Sequence, residues 1–216
     1  MIQAPPFSDG NLAGVRVSRE TWDRLADFAQ SAVTWSRSIS MVSNADPKRF
    51  WQRHILDSAQ LWPLRHQDTR IWADLGTGAG LPGVVLAIIA HQLSPEIRFH
   101  LVESDQRKAA FLRFTESRQS LGLHIHSARI EAIDPLAAHT VTARALAPLP
   151  KLLGLVVRHL ADDGLAVLPK GENAARELAQ AKKIWRFISS EHPSKLDSRA
   201  SILQISSIEK LGNPRA

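Results

Sequence analysis

The chain has 216 residues, 44% of them hydrophobic, which is enough for one sizeable core and predicts a single domain over residues 1–216. It has no cysteine, which excludes disulfides, thiolate metal sites and cysteine nucleophiles. Because the sequence shows neither a secretion segment nor an apolar run of roughly 18 residues, we expect a cytoplasmic protein with no membrane partner. The net charge of +6 favours polyanionic partners, although an ordinary basic surface explains it equally well.

The N-terminal part predicts an arm followed by two helices. Residues 1–14 hold prolines and glycines without periodic apolar positions, so we expect a loose arm. Ser18 is a suitable N-cap for an amphipathic helix through Val33, and a second helix is predicted from Asp46-Pro47 to Trp62. Residues 1–66 are therefore expected to form an arm and helical extension, and residues 67–216 an α/β core.

From residue 71 onward, short apolar runs alternate with helical segments, which is typical of βαβ units and a parallel sheet. The apolar segment 84–90 should be buried between the sheet and the N-terminal helices. The predicted strands cover residues 71–75, 97–103, 123–127, 140–143, 165–168 and 202–208. The predicted helices cover residues 83–92, 105–121, 149–160 and 172–188. The pattern predicts a doubly wound, Rossmann-like α/β fold with N-terminal helices.

A glycine-rich turn follows the first predicted strand of the core. The strand ends at Asp74, and Gly76, Gly78 and Gly80 leave the backbone open to a close ligand. In doubly wound folds this edge binds nucleotide-like molecules, and an acidic residue at the end of the next strand accepts hydrogen bonds from ribose hydroxyls. Glu103 occupies that position, so the pattern predicts a nucleoside site; a turn that is merely tight is the alternative.

Two cofactor classes fit the turn. Residues 78–83 match G-x-G-x-x-G and Glu103 follows at about the expected distance, as in NAD(P)-linked oxidoreductases. A pyrophosphate site has no need of the extra acid Asp74, whose negative charge would oppose the phosphates. Asp74 followed by alternating glycines therefore favours a methyl donor, S-adenosylmethionine, over a dinucleotide.

Several separate stretches carry a resemblance when they are taken together. They are Arg53-His54-Ile55-Leu56-Asp57-Ser58, Asp74-Leu75-Gly76-Thr77-Gly78-Ala79-Gly80-Leu81-Pro82-Gly83, Arg107-Lys108 with Phe111-Leu112-Arg113, Arg129-Ile130-Glu131, Ala143-Arg144-Ala145 and Pro169-Lys170-Gly171. In this order they resemble one family, the guanine-N7 methyltransferases of small-subunit ribosomal RNA, called methyltransferase G or glucose-inhibited division protein B. The resemblance covers residues 35–171, about two thirds of the chain.

The resemblance implies S-adenosylmethionine as cofactor and 16S ribosomal RNA or the small ribosomal subunit as partner. It places Glu103 at the ribose, Ile130 and Glu131 beside the adenine, and Arg144 at the cofactor and target. The full set of cofactor-binding candidates is Asp74, Gly76, Gly78, Gly80, Leu81, Glu103, Ser104, Ile130, Glu131 and Arg144. The chain departs from the family near Trp35-Ser36 and Ser40-Met41-Val42-Ser43, where the family has asparagines.

Methylation of guanine N7 requires no proton removal because N7 carries a free lone pair, so alignment of the reactants is the main demand. Arg144 and Arg53 are the catalytic candidates, as groups that hold guanine O6 or orient phosphates. The RNA-binding candidates are Arg53, Arg107, Lys108, Arg113 and Lys170. An exposed turn lysine explains Lys170 equally well, and a helix-surface ion pair explains His54 with Asp57.

Other residues suggest chemistry less strongly. His124 and His126 share one side of a strand, but no third ligand is evident, so we expect no metal site. Trp51, Trp62 and Trp72 have apolar neighbours, which favours packing over base stacking. Besides the NAD(P)-linked oxidoreductase, a non-catalytic RNA-binding protein with a relic cofactor fold remains an alternative.

Overall fold

The N-terminal residues form a short hairpin that packs on the core. A computed structural model of the chain describes residues 4–39, 41 and 47–212. Strands β1 (Asn11–Leu12) and β2 (Val15–Arg16) pair antiparallel, Leu12 is fully buried, and the Trp22 indole donates to the Pro5 carbonyl at 3.0 Å. The prediction of a loose arm is therefore wrong for residues 4–14, because contacts with distant residues order a segment that lacks local periodicity.

Helix α1 (Arg19–Ser36) is confirmed together with its cap, since the Ser18 hydroxyl accepts from the Thr21 backbone N–H at 3.2 Å. Residues at helical spacing, among them Leu25 and Phe28, are fully buried. Its apolar face belongs to the same core cluster as residues 84–90. The helix therefore lies as an outer layer over residues 84–90, as the sequence pattern predicts.

The second predicted helix is present in its described part but changes geometry along its length. It consists of α2 (Pro47–Phe50), a π-helical turn (Trp51–Leu56) and α3 (Asp57–Ala59), and a 3₁₀ turn (Trp62–Leu64) follows. The predicted start at Asp46 lies outside the described residues. Single π-helical turns are frequent at functional sites. Here the turn buries Trp51 and Ile55, and it also carries Arg53 and His54.

The core is a seven-stranded sheet in the order β5-β4-β3-β6-β7-β9-β8. Its first five strands in this order are parallel, and β9 pairs antiparallel with β7 and β8. The strands are β3 (Ile71–Leu75), β4 (Arg98–Val102), β5 (His124–His126), β6 (Ala138–Thr142), β7 (Leu160–Lys170), β8 (Trp185–Pro193) and β9 (Ser201–Lys210). The doubly wound α/β class is confirmed, and its topological switch point lies between β3 and β6, where ligands bind in such sheets.

Helices cover both faces of the sheet. They are α4 (Gly83–Leu93), α5 (Gln106–Gln119), α6 (Leu149–His159) and α7 (Ala174–Ala181). One apolar cluster joins α1, α4 and α5, and a second joins α6 to the opposite sheet face. Residues 84–90 of α4 are buried on every side, as predicted. The tryptophans also pack as predicted: Trp62 stacks on Trp72 at 6.0 Å, and Trp51 lies 4.8 Å from Trp22.

The predicted helix over residues 172–188 is wrong in its second half. Helix α7 ends at Ala181, and Trp185 begins the edge strand β8. The Trp185 indole donates to the Pro150 carbonyl at 2.9 Å, and β8 pairs with β9 along most of its length. Apolar residues at 184, 187 and 188 fit a helical period locally, but pairing with β9 decides the structure.

Three histidine rings stack on one face of β4 and β5, at the β5 edge of the sheet. His100 lies 4.7 Å from the His124 ring and 5.2 Å from the His126 ring, and its Nδ1 is 3.0 Å from His126 Nε2. Burial, together with the neighbouring histidines and Arg98, lowers the pKa of His100 to about 4. Within the described ranges, no group of three or more histidines or acids has a geometry that could hold a metal ion.

We expect the free energy of unfolding to decline as pH falls from about 6.5 towards 4. The folded protein keeps His100 neutral down to about 4, whereas the ordinary histidine pKa is 6.5, so the unfolded chain takes up the proton first. His100→Gln should remove part of this decline in urea unfolding experiments. His91→Gln, on an exposed turn of α4, is the control; equal declines in both variants would contradict the assignment.

Candidate active site

Of the three glycines in the turn after β3, Gly78 faces open space. Gly76, Gly78 and Gly80 all have positive φ angles, of 66°, 59° and 82°. A Cβ at Gly76 would meet Leu146 at 2.7 Å and one at Gly80 would meet Val84 at 2.4 Å, so both glycines serve close packing. A Cβ at Gly78 would meet nothing within 4 Å. A ligand can therefore approach the backbone at Gly78.

Asp74 holds this turn from beneath. Its side chain is fully buried, where Oδ2 accepts from the Gly83 backbone N–H at 2.9 Å and Oδ1 accepts from the Thr142 hydroxyl at 2.8 Å. Burial raises the pKa of Asp74 to about 6, and hydrogen bonding to its neighbours, together with Arg144, acts in the opposite direction. Both oxygens thus engage the protein, and direct contact of Asp74 with the cofactor stays a prediction.

Glu103 lies directly across from Gly78. It is 7% exposed, and its Oε2 accepts from the Gly78 backbone N–H at 2.9 Å while Oε1 accepts from Asp105 N–H at 2.7 Å. Each carboxylate oxygen has a second acceptor site. The carboxylate can therefore accept hydrogen bonds from hydroxyls of a ligand seated at Gly78, and the exposed Ser104 follows it at the same edge.

The other cofactor candidates lie around this opening. Ile130 and Glu131 begin a 3₁₀ turn after β5, at the carboxyl edge of the sheet. Ile130 is 8% exposed, and its carbonyl lies 3.0 Å from His159 Nε2, whereas Glu131 is exposed. Leu81 is buried at 5% exposure, just before α4. Their cofactor contacts remain predictions, and the topology brings them to one edge of the sheet.

Arg144, which follows β6, meets the N-terminal extension. Its Nη1 lies 3.3 Å from Asp57 Oδ2, and its Nη2 lies 3.4 Å from His54 Nδ1. Burial is the main cause that lowers the pKa of His54 to about 4, and Arg144 and Arg53 lower it further. His54 is therefore neutral at pH 7. Instead of forming a pair with each other on a helix surface, His54 and Asp57 both orient the Arg144 guanidinium.

A groove of about 1110 Å³ runs from this cluster to the end of the sheet. It is lined by the π-helical turn, the 144–148 loop, the end of β7 and the turn between β8 and β9. The loop residue Leu146 also packs on Gly76, so the groove adjoins the glycine turn. The ionisable side chains along the described lining are Arg49, Arg53, His54, Asp57, Arg144, Lys170, Glu177, Asp197 and Arg199.

The RNA-binding candidates fall into two places. Arg53 and Lys170 line the groove, whereas Arg107, Lys108 and Arg113 lie on α5, outside its lining. The Lys170 ammonium is largely buried and donates to Glu177 at 2.9 Å and to the Ala147 carbonyl at 3.2 Å. Lys170 therefore holds the 144–148 loop in place. Its ammonium could contact a phosphate only in addition to these two partners.

Sequence reasoning missed Gln60, Glu177 and Arg199. Gln60 is buried and donates to Asp57 Oδ1 at 2.8 Å, which fixes the carboxylate that meets Arg144. Glu177 accepts from Lys170 and from the Leu149 N–H at 2.7 Å. No local motif signals these residues.

The chain departs from the family near Trp35, where the family has asparagines. The Trp35 ring packs on Phe111, with the ring centroids 5.5 Å apart. Residues 40 and 42–46 of this region lie outside the described ranges.

Comparisons with known proteins agree on one family. The family model described as rRNA small subunit methyltransferase G matches residues 21–202. The Ribosomal RNA small subunit methyltransferase G of Cereibacter sphaeroides is 46% identical over 191 residues, covering 88% of this chain and 92% of that protein. The protein of the same name from Rhodospirillum centenum is 41% identical, covering 98% of this chain and 96% of its own.

Solved structures share the fold at low sequence identity. The ribosomal protein L11 methylase from Lactobacillus delbrueckii subsp. bulgaricus has a TM-score of 0.55 at 17% identity, covering 71% of this chain and 78% of its own. A TehB-like SAM-dependent methyltransferase from Corynebacterium glutamicum has a TM-score of 0.55 at 13% identity, covering 84% and 98%. These likenesses support the doubly wound α/β fold.

Gly78→Val is expected to weaken binding of S-adenosylmethionine, the implied cofactor, by about 100-fold or more, equivalent to about 2.7 kcal/mol. The branched side chain fills the open space beside Glu103. Calorimetric titration of the folded variant measures the effect.

The matched control is Gly122→Val. Gly122 also has a positive φ, of 71°, and open space around a new Cβ, so both variants carry the same backbone strain. Gly122 lies just before β5, far along the chain from the glycine turn. Equal affinities in the two variants would contradict the placement of the cofactor at Gly78.

Proposed function

The chain belongs to the rRNA small subunit methyltransferase G family, and from this premise we propose that it transfers a methyl group from S-adenosylmethionine to N7 of a guanine in 16S ribosomal RNA. Membership of this family makes the chain a methyltransferase of ribosomal RNA. That the target base is a guanine, that N7 is the methylated atom and that the small subunit is the partner are what we propose. The observation that carries the proposal is the junction of the open glycine turn with an arginine-lined groove.

The residues present fit the cofactor. Gly78 leaves room for a nucleoside, and Glu103 has free acceptor sites for the ribose hydroxyls. When bound, S-adenosylmethionine supplies an electrophilic methyl group carried by a sulfonium. The 3₁₀ turn at Ile130 offers an apolar surface at the same edge for the adenine. The chain's task is then to bind this molecule and align the guanine with it.

The same geometry weakens the case for a dinucleotide. In nicotinamide-binding folds the pyrophosphate sits at the N-terminus of the helix that follows the glycine turn. Here the Asp74 carboxylate accepts from the Gly83 N–H at that helix end. A phosphate at this position would lose that donor and face a buried carboxylate. The NAD(P)-linked alternative is thus disfavoured.

Arg144 is proposed to hold the target guanine. Asp57 and His54 meet two of its guanidinium nitrogens, and the remaining donors can face the groove and reach guanine O6. Guanine N7 attacks without losing a proton, so no general base is required. Alignment by a fixed donor is the contribution that such a site can make. Arg53, on the groove lining, is proposed to hold a phosphate of the same strand.

We further propose one methyltransferase domain over residues 1–216, composed of the extension 1–66 and the core 67–216. The extension shares an apolar cluster with α4 and α5, which supports this division into parts of one unit. Across the described ranges, no helix has the length and apolar character needed to cross a membrane. A cytoplasmic location follows from the proposal, since the small ribosomal subunit is assembled there.

Incubation with labelled methyl donor should place label on N7 of one guanine. The substrates are 16S ribosomal RNA and small subunits from cells that lack the enzyme, and strand scission at the methylated base locates it. Label on a ribose or a pyrimidine, or no transfer, would contradict the proposal. No transfer together with tight RNA binding would support the relic RNA-binding alternative.

Arg144→Ala should lower turnover by about 100-fold or more, the size expected when one fixed donor is lost from a reaction centre. Arg144→Lys keeps the charge but lacks the planar fork that Asp57 and His54 hold, so it should restore only a part. Arg70→Ala is the control, because Arg70 is exposed and pairs with the exposed Glu96. Near-normal turnover in Arg144→Ala would show that the assigned role is wrong.

A further inference from the structure

The turn between β8 and β9, residues 194–200, lines the groove from the C-terminal end of the sheet. Leu196, Asp197, Arg199 and Ala200 from this turn face the same space as Arg53 from the π-helical turn. The turn lies within residues 21–202, which the family model matches, but none of its residues belongs to the motifs quoted for the resemblance. Its role in the reaction is therefore open.

The turn is fixed in place by contacts with the N-terminal extension. The Lys195 N–H donates to Gln60 Oε1 at 2.9 Å, and the Lys195 ammonium donates to the Ala13 carbonyl at 2.7 Å. Gln60 in turn holds Asp57, which meets Arg144. Within the turn, Ser194 N–H donates to the Ala200 carbonyl at 2.9 Å. The turn thus has a defined position relative to the proposed guanine site.

Arg199 offers its charge at the rim of the groove. Its side chain is 73% exposed and pairs with Asp197 at 3.4 Å and Glu172 at 4.0 Å, both of which are at least half exposed. Ion pairs this exposed are weak and are screened by salt. A phosphate can therefore displace Asp197 and Glu172 and bind the guanidinium through two parallel hydrogen bonds.

Ser201, the first residue of β9, is an independent sign of a ligand. Its side chain lines the groove beside Lys170, its partner in the β7–β9 register, and it is only 8% exposed. Its hydroxyl is buried and, among the described residues, has no hydrogen-bond partner. Buried polar atoms normally have a partner, and a hydroxyl both donates and accepts. A polar ligand entering the groove would complete this bonding.

We propose that the 194–200 turn, with Arg199 and Ser201, binds the RNA strand that flanks the target guanine. The groove, at about 1110 Å³, is as large as the largest usual small-molecule sites, about 1,000 Å³, which leaves room beside the target base for a neighbouring part of the strand. Arg199 holds a phosphate at the rim, and Ser201 bonds a sugar or phosphate oxygen farther in. This inference rests on the proposed function and names the part of the chain that binds the substrate beside the reacting base.

The test compares Arg199→Ala with Arg186→Ala. Arg186 lies on β8, is 74% exposed and pairs with the exposed Glu209, so it matches Arg199 in exposure and pairing but lies outside the groove. Binding of 16S ribosomal RNA is measured over a series of salt concentrations. Arg199→Ala should weaken binding at least about threefold at low salt and reduce the slope of log K against log salt by about 0.7, the value for one single-strand phosphate contact. Arg186→Ala should match the wild type.

Steady-state kinetics separates binding from chemistry. Arg199→Ala should raise the KM for RNA rather than lower the turnover number, and its affinity for S-adenosylmethionine should equal that of Arg186→Ala. Ser201→Ala should also raise the KM, without loss of thermal stability, because it removes a buried hydroxyl that has no protein partner.

Two results would overturn the inference while the proposed function stands. The first is that Arg199→Ala and Ser201→Ala have the same salt slopes and KM values as Arg186→Ala. The second is that their turnover at saturating RNA falls while the KM is unchanged. A wild-type enzyme that binds 16S ribosomal RNA but transfers no methyl group to it is a different failure. In that case the proposed function itself is wrong.

Discussion

The buried carboxylate of Asp74 is the constraint on which the cofactor site depends. One oxygen accepts from the N-terminus of α4 and the other from Thr142 on β6, so a single side chain on β3 joins the first helix of the core to the neighbouring strand. Burial opposes the charged form, which is why its pKa rises to about 6, and the hydrogen bonds offset a part of that cost. With the helix end capped from within, the glycine turn bends over the carboxylate and presents Gly78 to Glu103. This shape favours the proposed nucleoside site over a pyrophosphate site.

The N-terminal extension does more than cover the sheet. Its apolar residues pack on α4 and α5, but its polar residues His54, Asp57 and Gln60 extend into the groove, where they meet Arg144 and the 194–200 turn. The π-helical turn lies at this point, and the change from α-helical spacing determines which of its side chains face the core and which face the groove. The proposed substrate groove thus lies where the extension, the loop after β6 and the last hairpin of the sheet converge. A shift of any of these three segments would move the guanidinium of Arg144.

The features that sequence predicts are those with a local cause. The glycine turn, the acid at the end of β4, the buried helix α4 and the cap at Ser18 follow from conformational freedom, periodicity and capping, and each lies where it is expected. The strand β8 was missed because Ile184, Phe187 and Ile188 also fit a helical period, and only pairing with β9 distinguishes the two. The partners of Arg144 come from residues nearly ninety positions earlier, and those of Lys170 include Glu177 on α7. Such long-range pairs have no signature in a single sequence, which is why Lys170 reads as a free cation when its ammonium is already engaged.

The distribution of charge follows from the reaction. Guanine becomes cationic when its N7 is methylated, so an unopposed positive charge beside the base would raise the barrier. Arg144 is proposed to hold the guanine, and the Asp57 carboxylate at 3.3 Å offsets its charge, while burial keeps His54 neutral beside it. Arg53 and Arg199 lie along the groove, where RNA phosphates rather than the base require positive charge. The proposed reaction calls for hydrogen-bond donors without net charge at the base and for net charge along the strand. The half-buried pair of Arg144 with Asp57 and the weak, exposed pairs of Arg199 fit these two requirements.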